Sequence, residues 1–276
     1  MKRIIRLIIF TIFISVLMTL FVFSISAEVY IGNCGANGSN ITFSLDTETG
    51  ILSIAGEGEM KDYTYSNELY YADTPWISYR NLIRQIKIDN GITHIGNYAF
   101  YELSSVVETV IIPESVISIG DNAFQLCESV EGIMIPNSVT KIGKYAFDCC
   151  MSIKSIIIPD GVTNIENSTF FWCCSLESVT IPDSIKSIAD YAFERCDNII
   201  VVNYKGSEDA WERITIGEHN ENLTEADIHF DANKEELNST TAAEENESIG
   251  RGMRIFVLVI FFIVLSLIVL WAILYY

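Results

Sequence analysis

The chain is poor in the residue types on which most chemistry depends. Its 276 residues include three histidines, His94, His219 and His229, and none stands at a metal-ligating or nucleophile–base spacing. No glycine-rich loop able to cradle a phosphate occurs, since Gly56-Glu57-Gly58 is a short GxG in a strand-rich stretch and reads as a turn. Positive charge is scarce: 17 Lys and Arg stand against 36 Asp and Glu. All the acidic residues lie between Glu28 and Glu247, where 12 basic ones accompany them, so that this part carries a net charge of −24. A surface of that sign repels phosphate backbones and anionic lipid heads, which argues against nucleic acid as a partner and for proteins with positive patches. Acidic pairs such as Glu208-Asp209 and Glu235-Glu236 read as solvated turn or linker residues. These shortages predict a chain without catalytic residues, cofactor or metal.

Proline is also rare, with five residues, but four of them keep time. Ile-Pro recurs at a constant interval, at Ile112-Pro113, Ile135-Pro136, Ile158-Pro159 and Ile181-Pro182, and Phe124, Phe147, Phe170 and Phe193 keep step. A fixed period of this length marks a solenoid, because one unit cannot bury a core alone and must stack on its neighbours. Within a unit the apolar columns are Val107, Val130, Ile153, Leu176 and Ile199, then Val110, Ile133, Ile156, Val179 and Val202, then the isoleucines before proline. The last two columns alternate as a strand does. Proline closes each strand, having no amide hydrogen to continue a ladder.

After the proline come Val116, Val139, Val162 and Ile185, then Ile119, Ile142, Ile165 and Ile188, then Gly120 and Gly143. The glycine column decays to Glu166 and Ala189, so either a left-handed backbone is not obligatory there or two coils bear strain. Ala-Phe, once Thr169-Phe170, follows as a packed corner. An earlier unit runs from Ile83 to Phe100 with Asp89 in place of proline. The next Ile-Pro comes one position later than the period allows, which points to a single inserted residue near Tyr101 to Ser104. About five units are expected. Trp76 and Trp211 are placed to seal the two ends of the core.

Cys127, Cys150, Cys173 and Cys196 share the same period. Four thiols can bind zinc, but zinc ligands converge as close pairs, whereas a ladder spaces them along its axis. A column of buried thiols is the favoured reading. With Cys34, Cys149 and Cys174 the total is seven, an odd number that implies no complete disulfide framework.

The pattern in CCSLESVTIPDSIKSIADYAFERC resembles the BspA-type leucine-rich repeats of surface proteins. The stretch CGANGSNITFSLDTETGILSIAGEGEMKDY resembles the small β-rich module that precedes such repeats, and VVNYKGSEDAWERITIGEHNENL resembles their closing segment. The resemblance implies a mainly β, right-handed leucine-rich-repeat-like coil with a parallel sheet on its concave face. It also implies a role in adhesion or protein binding, without catalytic residues. The expected organisation is a signal peptide over 1–27, a β-rich N-terminal cap over 28–80, the solenoid over 81–204 and a closing segment over 205–231. An acidic stalk over 232–254 and a transmembrane helix over 255–276 complete it.

The two ends rest on their own chemistry. Ile4 to Phe23 is almost wholly apolar behind Lys2, Arg3 and Arg6, and small residues up to Ala27 follow, which reads as a cleaved signal or, given its length, an uncleaved anchor. Ile255 to Tyr276 holds no charge and is long enough to span a bilayer. Arg251 and Arg254 would then remain outside, against the usual positive-inside bias. A removable attachment signal is the alternative for this tail, and either leaves the body tethered at the cell surface. Asn-x-Ser/Thr sequons stand at Asn37, Asn40, Asn167, Asn222, Asn238 and Asn246.

One pattern goes beyond structural need. The outward position before each strand's last isoleucine reads Lys87, Ile111, Met134, Ile157, Thr180, Asn203, so three successive coils offer apolar side chains to solvent. Arg84, Glu108, Glu131, Lys154 and Glu177 form a charged border. An apolar strip in a polar frame is the expected partner-binding face, with strand-propensity filler or loop cover as the alternative. The expected partner is a host or neighbouring-cell surface or matrix protein. Self-association into a surface layer is the second expectation.

Overall fold

The structure is a computed structural model that describes residues 28–68, 71–106 and 109–231. The expected signal peptide, stalk and membrane helix lie outside the described residues, as do Val107 and Glu108. Among the described residues no helix is long and apolar enough to cross a membrane.

The described residues begin with an antiparallel meander of β1 (Val29–Gly35), β2 (Gly38–Asp46) and β3 (Ile51–Gly56). Gly50, in a left-handed conformation with φ 72°, helps turn the second corner. A short β4 (Gly58–Glu59), the hairpin of β5 (Tyr65–Ser66) and β6 (Tyr71–Ala72), and a 3-10 helix (Ile77–Leu82) lead to β7 (Gln85–Ile88) and β8 (Ile92–Ile95). β3 pairs in parallel with β7, Leu52 opposite Ile86 and Ile54 opposite Ile88, so the N-terminal cap supplies a rung of the solenoid sheet.

Each later coil gives one strand to each of two ladders. The first takes β9 (Val110–Ile111), β11 (Ile133–Met134), β13 (Ser155–Ile157), β15 (Ser178–Ile181) and β17 (Val201–Tyr204). The second takes β10 (Ser118–Ile119), β12 (Lys141–Ile142), β14 (Asn164–Ile165) and β16 (Ser187–Ile188). All pairings between these coils are parallel, and strand pairing lapses between β7 and β9 and between β11 and β13 in the first ladder and between β12 and β14 in the second. Beyond the repeats come α1 (Glu208–Trp211), β18 (Thr215–Ile216), α2 (Glu221–Thr224) and β19 (Asp227–Phe230). β18 extends the second ladder and β19 the first, so the closing segment is one more coil. The first ladder holds six repeat rungs, from β7 to β17, where about five units were expected. The sixth coil leaves the repeat after Tyr204, which hides it from a count of whole units.

The inserted residue lies elsewhere than expected. Leu103 and Val106 occupy buried places equivalent to those of Cys127 and Val130, one position farther off than the period, and the Val106 N–H bonds to Leu103 O as Val130 N–H bonds to Cys127 O. From Val110 onward the ordinary period holds. The extra residue therefore falls between Val106 and Val110, and Val106 fills the core place that spacing assigns to Val107.

The interior is a spine of rings. Trp76, Phe100, Phe124, Phe147, Phe170 and Phe193 stack in order with centroids 6.0, 5.1, 5.7, 5.4 and 5.2 Å apart, all of them buried. Trp76 closes the N-terminal end and donates its indole N–H to Ala99 O at 3.1 Å; Trp211 packs edge-on against Tyr204 at the other end. Beside the spine, Cys127, Cys150, Cys173 and Cys196 donate their thiols to the carbonyls of Phe100, Phe124, Phe147 and Phe170. Burial pushes the Cys127 thiol up to about 12. A small, weakly donating side chain suits a buried site that offers it one carbonyl. All seven cysteines are free, and among the described residues no metal-ligating cluster forms.

The glycine column serves close approach. Gly120 and Gly143 do not have positive φ; a Cβ at Gly120 would stand 2.5 Å from Asn97 Oδ1, and one at Gly143 2.4 Å from Asp121 Oδ1. Those oxygens arch over to accept from the N–H of Asp121 and Lys144 in the next coil. Where Lys144 supplies no such acceptor, and where Asn167 Oδ1 accepts from Ser168 Oγ instead, Glu166 and Ala189 fit. The left-handed corners belong to other residues: Tyr98, Asn122, Tyr145, Ser168 and Tyr191 form one column, and Glu102, Leu126, Cys149, Trp172 and Arg195 a second.

Candidate functional site

The outer face of the first ladder is built by strand alternation. In each coil the residues on either side of the outward one point into the core, as Ile156 and Ile158 do around the exposed Ile157. The outward row follows the register of the strands. Ile31 lies opposite Ser44, Ser44 opposite Ser53 and Ser53 opposite Lys87; Ile111 pairs with Met134; Ile157 pairs with Thr180, Thr180 with Asn203 and Asn203 with His229. Ile111, Met134 and Ile157 are 62%, 60% and 61% exposed, three apolar side chains on successive rungs. Thr180 and Asn203 are half-buried and Lys87 is exposed, so the apolar part of the row is bounded at both ends by polar residues.

The borders differ from the simple expectation. The row next to the apolar ridge is small, Thr109, Gly132, Ser155 and Ser178, and the charged column of Arg84, Glu131, Lys154 and Glu177 lies beyond it. Glu108 lies outside the described residues. The reason is the spacing of three between the charged residue and the ridge, which leaves one more outward position between them. That column ends in Ile200, which is exposed and which reasoning from spacing missed. Small residues beside large ones leave a trough of about 420 Å3 along Thr109, Gly132, Ser155 and Met134. On the other side Ile111 and Met134 wall a groove of about 600 Å3 whose polar lining includes Asp89, Asn90, Glu114 and Asn137. Met134 thus stands between two grooves, and the carboxylates of Asp89, Glu114 and Glu131 give the surroundings an acidic cast. Lys205 is engaged with Asp160 at 2.6 Å farther along the same edge.

A second constellation was not legible from spacing. His94 Nδ1 lies 2.7 Å from Ser118 Oγ, and its Nε2 lies 3.3 Å from Asp62 Oδ1. The residue types are those of a charge relay, brought together from three separate elements. The setting explains them as a clamp. Asp62 Oδ1 also accepts from the Asn97 N–H at 2.8 Å, and Ser118 stands opposite both His94 and Lys141 in the second ladder, so the trio ties the N-terminal cap to the first two coils.

Residues 78–203 match the family model described as BspA type leucine rich repeat region, in six copies. Among solved structures, a leucine-rich repeat protein from Eubacterium ventriosum is 26% identical, with a TM-score of 0.56, over 66% of this chain and 45% of that one. A leucine rich repeat protein of T. pallidum is 24% identical with a TM-score of 0.40, over 64% of this chain and 78% of that one. A leucine rich cell surface protein from Faecalibacterium prausnitzii is 16% identical with a TM-score of 0.24, over 70% and 98% of the two chains. The chain thus spans less than half the length of the Eubacterium protein. No curated protein matches the chain. Leucine-rich repeats of this kind are in general protein-interaction scaffolds rather than enzymes, which is compatible with a site made of apolar ridge and grooves. Residues 78–203 are thus a BspA-type leucine-rich repeat region of six copies.

Proposed function

We propose that the protein is a non-catalytic cell-surface binding protein. Its solenoid recognises a protein of a host or neighbouring cell surface or matrix through the ridge of Ile111, Met134 and Ile157, framed by Thr180, Glu108, Glu131, Lys154 and Glu177. Residues 1–27 would export the body, and residues 255–276 would hold it in the membrane beyond an acidic stalk. The observation that carries this reading is the stacking of three apolar side chains, each about three-fifths exposed, on adjacent rungs. Strand propensity alone would be met as well by threonine, so solvent-facing isoleucine and methionine on three coils in a row point to a surface that is covered in use. The acidic surroundings favour a partner that presents apolar side chains within a basic rim.

The test is affinity capture from cell and matrix extracts with residues 28–231, followed by binding of the captured protein to the Met134→Ser, Ile157→Ser double variant. At least a tenfold loss of affinity supports the reading. Equal binding by the variant and the parent chain refutes it.

A further inference from the structure

We propose that the protein also forms a two-fold dimer through β1, with a second copy of the chain as the occupant of that edge. Among the described residues β1 ends the first ladder and pairs with β2; only its last residues have a further backbone partner, Cys34 O accepting from the Lys61 N–H and Gly35 bridging Met60. The Thr47 N–H donates to Glu28 O, so by the alternation of an antiparallel pair the even-numbered residues of β1 turn their backbone groups toward β2. The N–H and C=O groups of Val29, Ile31 and Asn33 therefore face the open edge. The side chains of Val29 and Ile31 are 54% and 72% exposed on the same outer face as the distant ridge.

Two observations select a second copy. First, Val29 to Gly35 carries no charge, although the region from Glu28 to Glu247 carries −24. The other end of the ladder, β19, bears Asp227 and is followed by Asp231, so like-charged edges would meet there but not at β1. An uncharged, extended edge is the feature that natural sheets otherwise blunt with lysine or proline. Second, the edge is self-complementary. A two-fold axis normal to the sheet through Ile31 places Ile31 against Ile31 of the second copy and Val29 against Asn33 of the second copy. Those are the residues whose backbone groups face outward, so one register satisfies all of them. The register shift between Asn33 and Gly35 ends the pairing at its far side. Such a contact is isologous and closes at two copies, and it gathers both pairs of Val29 and Ile31 side chains into one patch.

The test is the mass in solution, by light scattering and sedimentation, of residues 28–231, which contain the whole continuous core. Twice the chain mass is expected, rising to that value with concentration. Val29→Lys with Ile31→Lys sets like charges across the axis and is expected to give the monomer with an unchanged circular dichroism spectrum. Should that variant fold poorly, Ile31→Cys decides: paired Cα atoms about 5.5 Å apart in this register allow a disulfide, so oxidised glutathione is expected to link two chains far faster than it links the parent protein. A monomer at every concentration, a dimer untouched by the lysines, or no faster linking by Ile31→Cys overturns the proposal. A monomeric 28–246 beside a dimeric 28–231 also overturns it, by assigning the edge to the chain's own tail. Met134→Ser with Ile157→Ser is expected to leave the dimer intact, so failure at β1 and failure of the ridge are distinguishable.

Discussion

Replacing Asn220 by alanine tests how the spine is terminated. In every repeat the N–H of the spine phenylalanine donates to the carbonyl of the residue before the next phenylalanine: Phe100 to Ala123, Phe124 to Ala146, Phe147 to Thr169 and Phe170 to Ala192. Phe193 has no further repeat above it. Asn220 Oδ1 takes that bond at 3.0 Å, while its Nδ2 donates to Ala189 O and Gly217 O, each at 3.0 Å, and the side chain is buried. Alanine leaves a buried N–H without an acceptor, which costs about 1–3 kcal/mol, and removes further bonds worth about 1 kcal/mol each. The expected loss is about 3 kcal/mol by urea unfolding of residues 28–231, with hydrogen exchange at Phe193 accelerated most. Asn220→Asp keeps the acceptor but sets a carboxylate against two carbonyls. Its folded pKa would be raised, so its stability is greatest below about pH 4, where the carboxyl is protonated in both states, and falls as pH rises. A loss under about 0.5 kcal/mol in Asn220→Ala, or unchanged exchange at Phe193, refutes this account of the cap.

Burial raises the Asp148 pKa above its ordinary value against the opposing hydrogen bonds of the Cys149 thiol and of Gln125 Nε2, the latter donating to Oδ2 at 2.5 Å. Stability linked to this group is therefore present below the unfolded carboxyl pKa and lost as pH rises through the folded one; Asp148→Asn is expected to melt higher than the parent at pH 7 and to show a smaller difference at pH 4. Burial pushes Cys34, Cys127 and Cys149 up to about 12, whereas Cys174 is half-buried, so a thiol reagent at neutral pH is expected to modify Cys174 first and the rest only on unfolding; mass mapping of the first adduct checks this. Arg195 is exposed with φ 62°, and Arg195→Gly is expected to stabilise by about 0.5 kcal/mol, the relief of a left-handed backbone less the extra freedom of the unfolded glycine, read by thermal unfolding.

The regular part of this fold is legible because each column answers to a single demand. Ile-Pro marks where a ladder must stop, and the phenylalanine column marks where rings must stack, so strands, spine and outward face could all be placed from spacing. What stayed hidden depends on contacts between unlike positions. Glycine at 120 and 143 looked like a demand of backbone angle, yet it is a demand of close approach, by the Asn97 and Asp121 side chains that arch over it and by the backbone of the coil before. The left-handed corners carry tyrosine, leucine, cysteine and arginine, and no residue type in those columns announces them. Asn220 lies beyond the repeat and meets Phe193 from the closing segment, and the clamp of Asp62, His94 and Ser118 spans three elements. The inserted residue was misplaced because Val106 and Val107 are the same residue type, and only the burial of Val106 shows which place it fills. At the ridge, the exposed isoleucines and methionine were readable, while the small-residue trough beside them needed the register of the strands.

The central claim is that neighbouring residues of one strand do opposite work, one holding the rod together and the next meeting a partner. Parallel unfolding and binding measurements on two double variants test it most directly: Met134→Ser with Ile157→Ser, and Ile133→Ser with Ile156→Ser. The outward pair is expected to change stability by no more than about 1 kcal/mol while abolishing capture of the partner, and the inward pair to cost several kcal/mol, on the order of 2–5 for each emptied core site. Equal destabilisation by the two pairs would contradict it.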